Sequence, residues 1–378
     1  MLIRNAAAFI GGRFREGTEL RLMHGKVQEI GAGLDKGLYE AEVDLAGDYL
    51  LPGFVDVHIH AFQGHDAMAG EQAVRQMARR LYREGVAAFL PTTMSAPETE
   101  TAAALAGIRA VMEQPDARSA RVLGAHMEAP YLNPDRCGAQ RKEFLHAPDP
   151  AEFLRLCADQ TDTVRLLTLA PEWPGAEAFV RWATARGVTV SIGHTAATAA
   201  QTHQAADWGA SHVTHTFNAQ TALHHREPGV PGAALTDERL YAEFIGDGIH
   251  LHPDVIKLLL NAKGAARVVA VTDAMEAAGM SDGEYALGGQ QVFVKAGEAR
   301  LVDGTLAGSV LTMPEALRNM IHRFGIAPEQ AVMMATQTPA ESIGERVIGH
   351  MTVGSPAPLT RWSRDWQRMT VIDEHSGD

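Results

Sequence analysis

Cysteine is nearly absent from this chain: Cys137 and Cys157 are the only two in 378 residues. Two thiols cannot build a disulfide framework, and a chain so poor in them suits a reducing compartment, so the cytoplasm is expected. Met1 to Gly12 lacks the basic start and long apolar core of a secretory signal. No apolar run approaches the roughly 20 residues needed to span a bilayer, which removes a membrane from the expected partners. Positive charge is also scarce, with 33 Lys and Arg against 46 Asp and Glu and a net charge of −13. Nucleic acid needs a basic surface, so it too is set aside. A small anionic substrate is not, because a local cluster of Arg and His reverses the field inside a pocket. The chain contains no internal repeat, no low-complexity segment and no strong GxGxxG loop.

What remains is an ordinary globular composition, 46% hydrophobic and 21% charged, with an unusual stock of 17 histidines. The length suits one large domain with a small companion. Residues 1–50 read as short strands and turns, with Gly at nearly every corner. The stretch from Met351 to about Asp373 also looks extended. Residues 1–50 with 345–378 are therefore expected to form a small β-sandwich subdomain built from both chain ends, beside a main body over 51–344.

From Leu51 the pattern changes to strands alternating with helices. The strand candidates are Phe54–His60, Val86–Thr92, Val122–Glu128, Val164–Ala170, Val188–His194, His212–Phe217, Tyr241–Gly246 and Val268–Asp273. Amphipathic segments such as 70–84, 98–112, 176–186 and 253–262 lie between them. Eight strand–helix pairs in this span predict an α/β fold of the (β/α)8 TIM-barrel type, with a doubly wound open sheet as the competing arrangement.

The chain is organised around Val55-Asp56-Val57-His58-Ile59-His60. On a strand His58 and His60 share one face, about 6.5 Å apart along it, a spacing that suits one metal ion. The same arrangement recurs along the chain: the third strand ends in Glu128, the fifth in His194, the sixth carries His215 and the eighth ends in Asp273. Any one of these has a bland reading as a helix cap or a satisfied core residue. Together, at the carboxyl ends of barrel strands, they point to one site. Imidazoles and carboxylates with little Cys predict an open catalytic centre for a divalent ion, Zn²⁺ first and Fe²⁺ as the alternative. Such an ion activates water and polarises a carbonyl, and a neighbouring carboxylate moves the proton; Asp273 fits that role. These are the parts for hydrolysing an amide or ester.

These residues resemble a family, the amidohydrolase superfamily, and within it the N-acetylglucosamine-6-phosphate deacetylases. The matching stretches are 51–60, Glu128-Ala129-Pro130-Tyr131-Leu132-Asn133-Pro134, Gly193-His194-Thr195 and His215-Thr216-Phe217-Asn218-Ala219. The most discriminating is His224-His225-Arg226-Glu227-Pro228-Gly229, followed by Asp247-Gly248-Ile249-His250, 271–274 and 305–313. The resemblance implies that Glu128, His194 and His215 bind the principal ion. His58 and His60 would help to hold a second, with Glu128 bridging, so one or two ions are allowed. Asp273 would be the general base and acid. Asn218, Ala219, the backbone around Ala139 and the Leu306-Ala307-Gly308 turn would contact substrate, and Arg226 with His250 would hold its phosphate. Dimeric members supply such groups across the subunit interface, so a homodimer is implied. The implied reaction removes acetate from N-acetylglucosamine 6-phosphate, a small phosphorylated amino sugar.

The chain departs from that pattern at four places. Ala129 stands where the family usually has Gly, and the 220–222 loop is unusual. Residues 355–365 lack the usual terminal strand sequence. Most consequentially, Gln140 stands where the family has a His that polarises the amide carbonyl. A Gln amide still donates a hydrogen bond but carries no charge. A different amidohydrolase acting on another N-acyl or cyclic amide, and a non-catalytic relative, are the competing readings.

Overall fold

The computed structural model describes residues 1–375. Eight parallel strands form the body: β1 (Phe54–Ile59), β2 (Val86–Thr93), β3 (Ala125–Met127), β4 (Val164–Leu169), β5 (Thr189–Ile192), β6 (His212–Val213), β7 (Tyr241–Ile245) and β8 (Val268–Val271). Each pairs with its sequence neighbour. The ring closes at its mouth, where the Asp273 N–H donates to the His58 carbonyl at 2.8 Å and the His60 and Ala61 N–H groups both donate to the Ala274 carbonyl at 3.0 Å. That closure decides for the barrel over the open sheet.

The strands read as near-continuous apolar runs because both of their faces are covered. One face meets the helices, through residues such as Phe89, Phe153, Phe179 and Leu259, all buried. The inward face near the mouth is polar instead. His126 Nε2 bonds Thr168 Oγ1 at 2.8 Å, Thr168 bonds Thr214 at 2.8 Å, and Ser191 bonds Thr214 at 2.6 Å. A polar interior is stable only when its groups find partners, and these do. At Gly193, just past β5, an added Cβ would lie 2.7 Å from Thr214 Cβ and 2.8 Å from Thr168 Cγ2. The inward turn of the chain there has room for glycine alone.

Both chain ends contribute to a second sheet, in the order Met369–Ile372, Leu359–Trp362, Tyr49–Pro52, Leu2–Ile10, Arg13–Met23 and Lys26–Gly31, with Glu42–Asp44 beside Leu2–Arg4. Hydrogen bonds join all seven strands into one continuous sheet. The strand alternation gives it two apolar faces: Ala8, Leu50 and Leu359 lie in the sheet's own cluster, while Phe9, Leu51 and Trp362 join the barrel's core. Trp366 stacks on Tyr49 with ring centroids 4.4 Å apart. Leu359–Trp362 is thus a strand although its sequence is atypical for the family, because Leu359 and Trp362 supply one side chain to each face. Residues 376–378 of the expected subdomain lie outside the described residues.

One helix was not anticipated, whereas a hairpin turn at Gly288-Gly289 is what the sequence leads one to expect. Gly229–Thr236 is a helix despite its Gly and Pro content. Its residues from Gly229 to Ala234 are buried, so packing rather than propensity sets it. After β8, the segments Gly283–Leu287, Gln290–Lys295 and Glu298–Leu301 form a three-stranded antiparallel sheet turning at Gly288-Gly289. This sheet reaches the barrel mouth, where Gln290 Nε2 donates to the Ala139 carbonyl at 2.6 Å.

Candidate metal centre and substrate cavity

The site is assembled by a simple rule of position. His194, His215 and Asp273 each sit two residues beyond the end of β5, β6 and β8, and Glu128 and His60 sit one residue beyond β3 and β1. The first three have left-handed backbones, with φ of 45°, 28° and 49°. Non-glycine residues held there cost about 1–3 kcal/mol each. The turn tips each side chain back over the mouth, and local bonds hold it: the Asp273 N–H to His58, and the His215 N–H to Glu243 Oε2 at 3.0 Å.

The side chains converge on Glu128. Its Oε1 lies 3.1 Å from His194 Nε2, 3.2 Å from His215 Nε2 and 3.4 Å from His58 Nε2. His194 Nε2 and His215 Nε2 are 3.0 Å apart. On the other side, Asp273 Oδ1 lies 3.1 Å from His60 Nε2 and 3.5 Å from His58 Nε2. Two ligand groups result, Glu128 with His194 and His215, and Asp273 with His58 and His60; within each, the ligand atoms lie within 4.8 Å of one another.

The outer nitrogens show what the inner ones are for. His194 Nδ1 donates to the Arg136 carbonyl at 2.9 Å, His60 Nδ1 to the Thr92 carbonyl at 3.2 Å, and His58 Nδ1 to Glu243 Oε2 at 3.1 Å. A neutral imidazole carries one N–H, so these contacts leave the Nε2 lone pairs aimed inward. Lone pairs and carboxylate oxygens facing one another at such distances need a cation among them, and His58 Nε2 has no hydrogen-bond partner. The donor set fits a divalent ion with nitrogen and oxygen ligands.

The electrostatics agree. Burial lowers the pKa of the His58 imidazolium, but Asp273, Glu128 and Glu243 outweigh it and hold it at about 10. Burial likewise raises the Glu128 carboxyl, yet His58, His194 and His215 keep it well below the carboxylate range. The field at this mouth therefore favours positive charge and ionised carboxylates. Under His58, Asp56 accepts from Thr272 Oγ1 at 2.5 Å, and burial pushes its carboxyl up to about 7.

Above this floor opens a cavity of about 360 Å³ lined by residues from seven strand ends and the 283–308 insertion. Ala139, Gln140, Asn218, Ala219, His250, Leu306 and Gly308 line it, as the sequence led us to expect of substrate contacts. Ala307 is buried behind them with Met275 and Leu287. Residues 49–374 match the model of the amidohydrolase family.

The chain belongs to the amidohydrolase family.

Among amidohydrolases, it is 35% identical over 378 residues to the N-acetylglucosamine-6-phosphate deacetylase of Bacillus subtilis (strain 168), spanning 98% of this chain and 95% of that one. It is 40% identical over 314 residues to the N-acetylgalactosamine-6-phosphate deacetylase of Escherichia coli O157:H7, spanning 82% and 83%. The crystal structure of N-acetylglucosamine-6-phosphate deacetylase from Pasteurella multocida superposes with a TM-score of 0.90 at 29% identity, over 98% of this chain and 96% of that one. That from Thermotoga maritima gives 0.87 at 30%, over 100% and 99%. The family resemblance drawn from the sequence is thereby confirmed.

One residue of the expected amidohydrolase site lies apart. Arg226 is on an exposed loop, its Nη1 2.7 Å from His225 Nε2, and does not line the cavity. His250 does, with Nδ1 2.7 Å from Asp247 Oδ2; burial lowers its pKa but Asp247 more than restores it. Sequence reasoning missed Glu243. Buried in β7, it takes His58 Nδ1–H and the His215 N–H on one oxygen, so one carboxylate holds a member of each ligand group. Its signal was a lone charge inside the apolar strand Tyr241-Ala242-Glu243-Phe244-Ile245. Arg136, which also lines the cavity, was missed as well.

Proposed function

We propose that this amidohydrolase removes the acetyl group of N-acetylglucosamine 6-phosphate, yielding glucosamine 6-phosphate and acetate. The observation that carries the reading is the convergence of Glu128, His194, His215, His58, His60 and Asp273 at the floor of a sugar-sized cavity. The deacetylases that share its sequence nearly end to end support the substrate.

Glu128, His194 and His215 would hold a divalent ion, for which the nitrogen-rich set favours Zn²⁺ and allows Fe²⁺. When bound, such an ion supplies Lewis acidity and a hydroxide nucleophile at neutral pH. Asp273 receives the proton of the attacking water and returns it to the nitrogen as the C–N bond breaks, so that acetate and a free amine leave. His60 Nε2 faces Asp273 Oδ1 at 3.1 Å over the floor. Gln140, Asn218 and the Ala139 and Leu306 backbone orient the sugar. His250, and Arg226 from a second copy of the chain in a homodimer, meet the phosphate, since guanidinium and imidazole give charge-assisted bonds to it. The protein is placed in the cytoplasm on its thiol content; among the described residues no helix is long and apolar enough to cross a membrane.

The 40% identical galactosamine-phosphate relative favours a second reading, the 4-epimer as substrate. Acetate release from N-acetylglucosamine 6-phosphate, N-acetylgalactosamine 6-phosphate and unphosphorylated N-acetylglucosamine separates the two. The first reading expects the highest kcat/KM on the first compound and the lowest on the third. A higher value on the 4-epimer would transfer the assignment to it, and equal values with and without phosphate would sink both.

A further inference from the structure

We propose that His212 and Ser342, at the end of the barrel away from its mouth, are positioning residues for the metal centre. The inference rests on reading the mouth as a metal centre and is independent of which sugar it serves.

The link runs through Glu243. Its Oε2 takes the His58 Nδ1–H at 3.1 Å and the His215 N–H at 3.0 Å. Its Oε1 receives neither. That oxygen is buried and faces His212 Nδ1 at 3.3 Å, and among the described residues neither atom has another partner. A buried carboxylate oxygen left bare is costly, and an ionised carboxylate only accepts. His212 therefore presents an N–H at Nδ1, which leaves Nε2 of the neutral ring to accept. Ser342 Oγ lies 3.1 Å from Nε2 and is the donor there, with the Pro339 carbonyl at 2.8 Å as the other acceptor for its hydroxyl. Because His212 opens β6, the series Ser342, His212, Glu243 and His58 crosses the barrel from its base to its mouth.

Two features make this series more than packing. The last torsion of a glutamate is broad, so a carboxylate held at one oxygen still swings about it. A partner on Oε1 removes that freedom and fixes the plane in which Oε2 meets His58 and His215. His58 then keeps Nε2 aimed inward, 3.4 Å from Glu128 Oε1 and 3.5 Å from Asp273 Oδ1. The second feature is the rigidity of the far end. His212 is fully buried, and its ring lies nearly parallel to that of Tyr241, at 26° between planes. Ser342 ends the helix Gln337–Ser342, whose Ala340 packs in one cluster with Val57, Leu166 and Val271. Neither His212 nor Ser342 lines the cavity, so their effect on the centre passes through Glu243.

The test reads metal affinity and ligand geometry rather than turnover. Metal-free wild type, His212→Leu, His212→Asn and Ser342→Ala are titrated with Zn²⁺ against a chromophoric chelator, and the visible spectrum of each is recorded with Co²⁺ bound. His212→Leu strands Glu243 Oε1, so Zn²⁺ should bind about 10–100-fold more weakly and the Co²⁺ bands should shift. His212→Asn returns an N–H to the place of Nδ1 and should recover most of that loss, although it fills less space than Leu. Ser342→Ala removes a single oxygen and should weaken binding in the same direction by a smaller factor. Wild-type affinity in folded His212→Leu would overturn the proposal, as would a folded His212→Asn that binds no better than His212→Leu. An unchanged isotherm and spectrum in Ser342→Ala would remove Ser342 from the series, and would overturn the whole where His212→Leu fails to fold. Wild type that binds no ion would instead overturn the metal reading beneath it.

Discussion

Two neighbouring regions of this molecule are built in opposite ways. At the barrel mouth four of the reactive side chains are each held by a bond to a different element: His58 by Glu243, His60 by Thr92, His194 by Arg136 and Glu128 by Gln140. On the loop 222–228 every residue is exposed, and Arg226 bonds its own loop neighbours, its Nη1 lying 2.7 Å from His225 Nε2 and its N–H donating to His224 Nδ1 at 3.3 Å. The mouth is complete within one chain, which is what proton transfer and metal binding demand, because both fail when geometry is loose. The loop carries a charge that does not line the cavity at the mouth. On the proposed function, proton transfer would be built into the barrel itself, whereas Arg226, proposed for the phosphate beside His250, sits on a segment outside the cavity.

That contrast predicts effects of different size and kind. Asp273→Asn should be the most damaging change, lowering kcat by about 10²–10⁴ while the protein keeps its metal, as elemental analysis beside a steady-state assay would show. Turnover within a factor of two of wild type would remove Asp273 from the proton path. Glu243→Ala should come next and act differently. It strips His58 and the His215 N–H of their shared acceptor, so metal affinity should fall about 10–100-fold, with activity recovering as Zn²⁺ is raised. A normal binding isotherm would show that Glu243 merely fills the barrel.

On the loop, Arg226→Ala should leave kcat on unphosphorylated N-acetylglucosamine untouched and raise KM for the 6-phosphate about 10–100-fold, the worth of one charge-assisted hydrogen bond. Arg136→Ala is the control, since that guanidinium does line the cavity of its own chain. If it, and not Arg226→Ala, erased the preference for phosphate, the contrast between the two regions would break.

The smallest effect concerns the helix behind the loop, Gly229–Thr236, which is followed by Asp237. Arg239 grips that carboxylate with Nε and Nη2 at 2.9 and 2.7 Å, and His203 adds a third contact at 3.0 Å. The Arg239 hydrogen bonds hold the carboxyl well below its ordinary value of 3.8. A carboxyl with a depressed folded pKa stabilises the fold above its unfolded value and loses that contribution as pH falls through the folded one. Arg239 is half exposed, so screening limits Asp237→Asn to about 1 kcal/mol at pH 7. Denaturant melts should show that gap closing as the pH drops below 3.8. A gap that held constant with pH would mean the loss is packing, not charge.

The sequence made the barrel legible because its signals are local: buried parallel strands read as apolar runs, and a His or carboxylate at a run's end stands out. Thus all eight strands, and the ligand types at their ends, were visible before any coordinates. Glu243, His212 and His126 were not, because a polar residue inside a strand can face the helices or the barrel interior, and only closure of the ring decides which. Gly229–Thr236 escaped since the two Gly and the Pro of Gly-Val-Pro-Gly-Ala-Ala disfavour a helix that burial against the barrel secures. Leu359–Trp362 lies between Met369–Ile372 and Tyr49–Pro52 in the small sheet, and its pairing with Tyr49–Pro52 spans most of the chain, so no local pattern records such a partner. The importance of Gln140 was legible, but its bond to Glu128 was not, since that needed the loop after β3 to be folded over the mouth.

The central claim is that the side chains gathered at the barrel mouth form a divalent-metal centre that hydrolyses an acetamide. The most direct test measures bound metal and acetate release from N-acetylglucosamine 6-phosphate on the same samples, as purified, after chelation and after Zn²⁺ is restored. The account predicts that acetate release disappears with the metal and returns in proportion to the ion taken up. Full release of acetate from protein stripped of metal would contradict it.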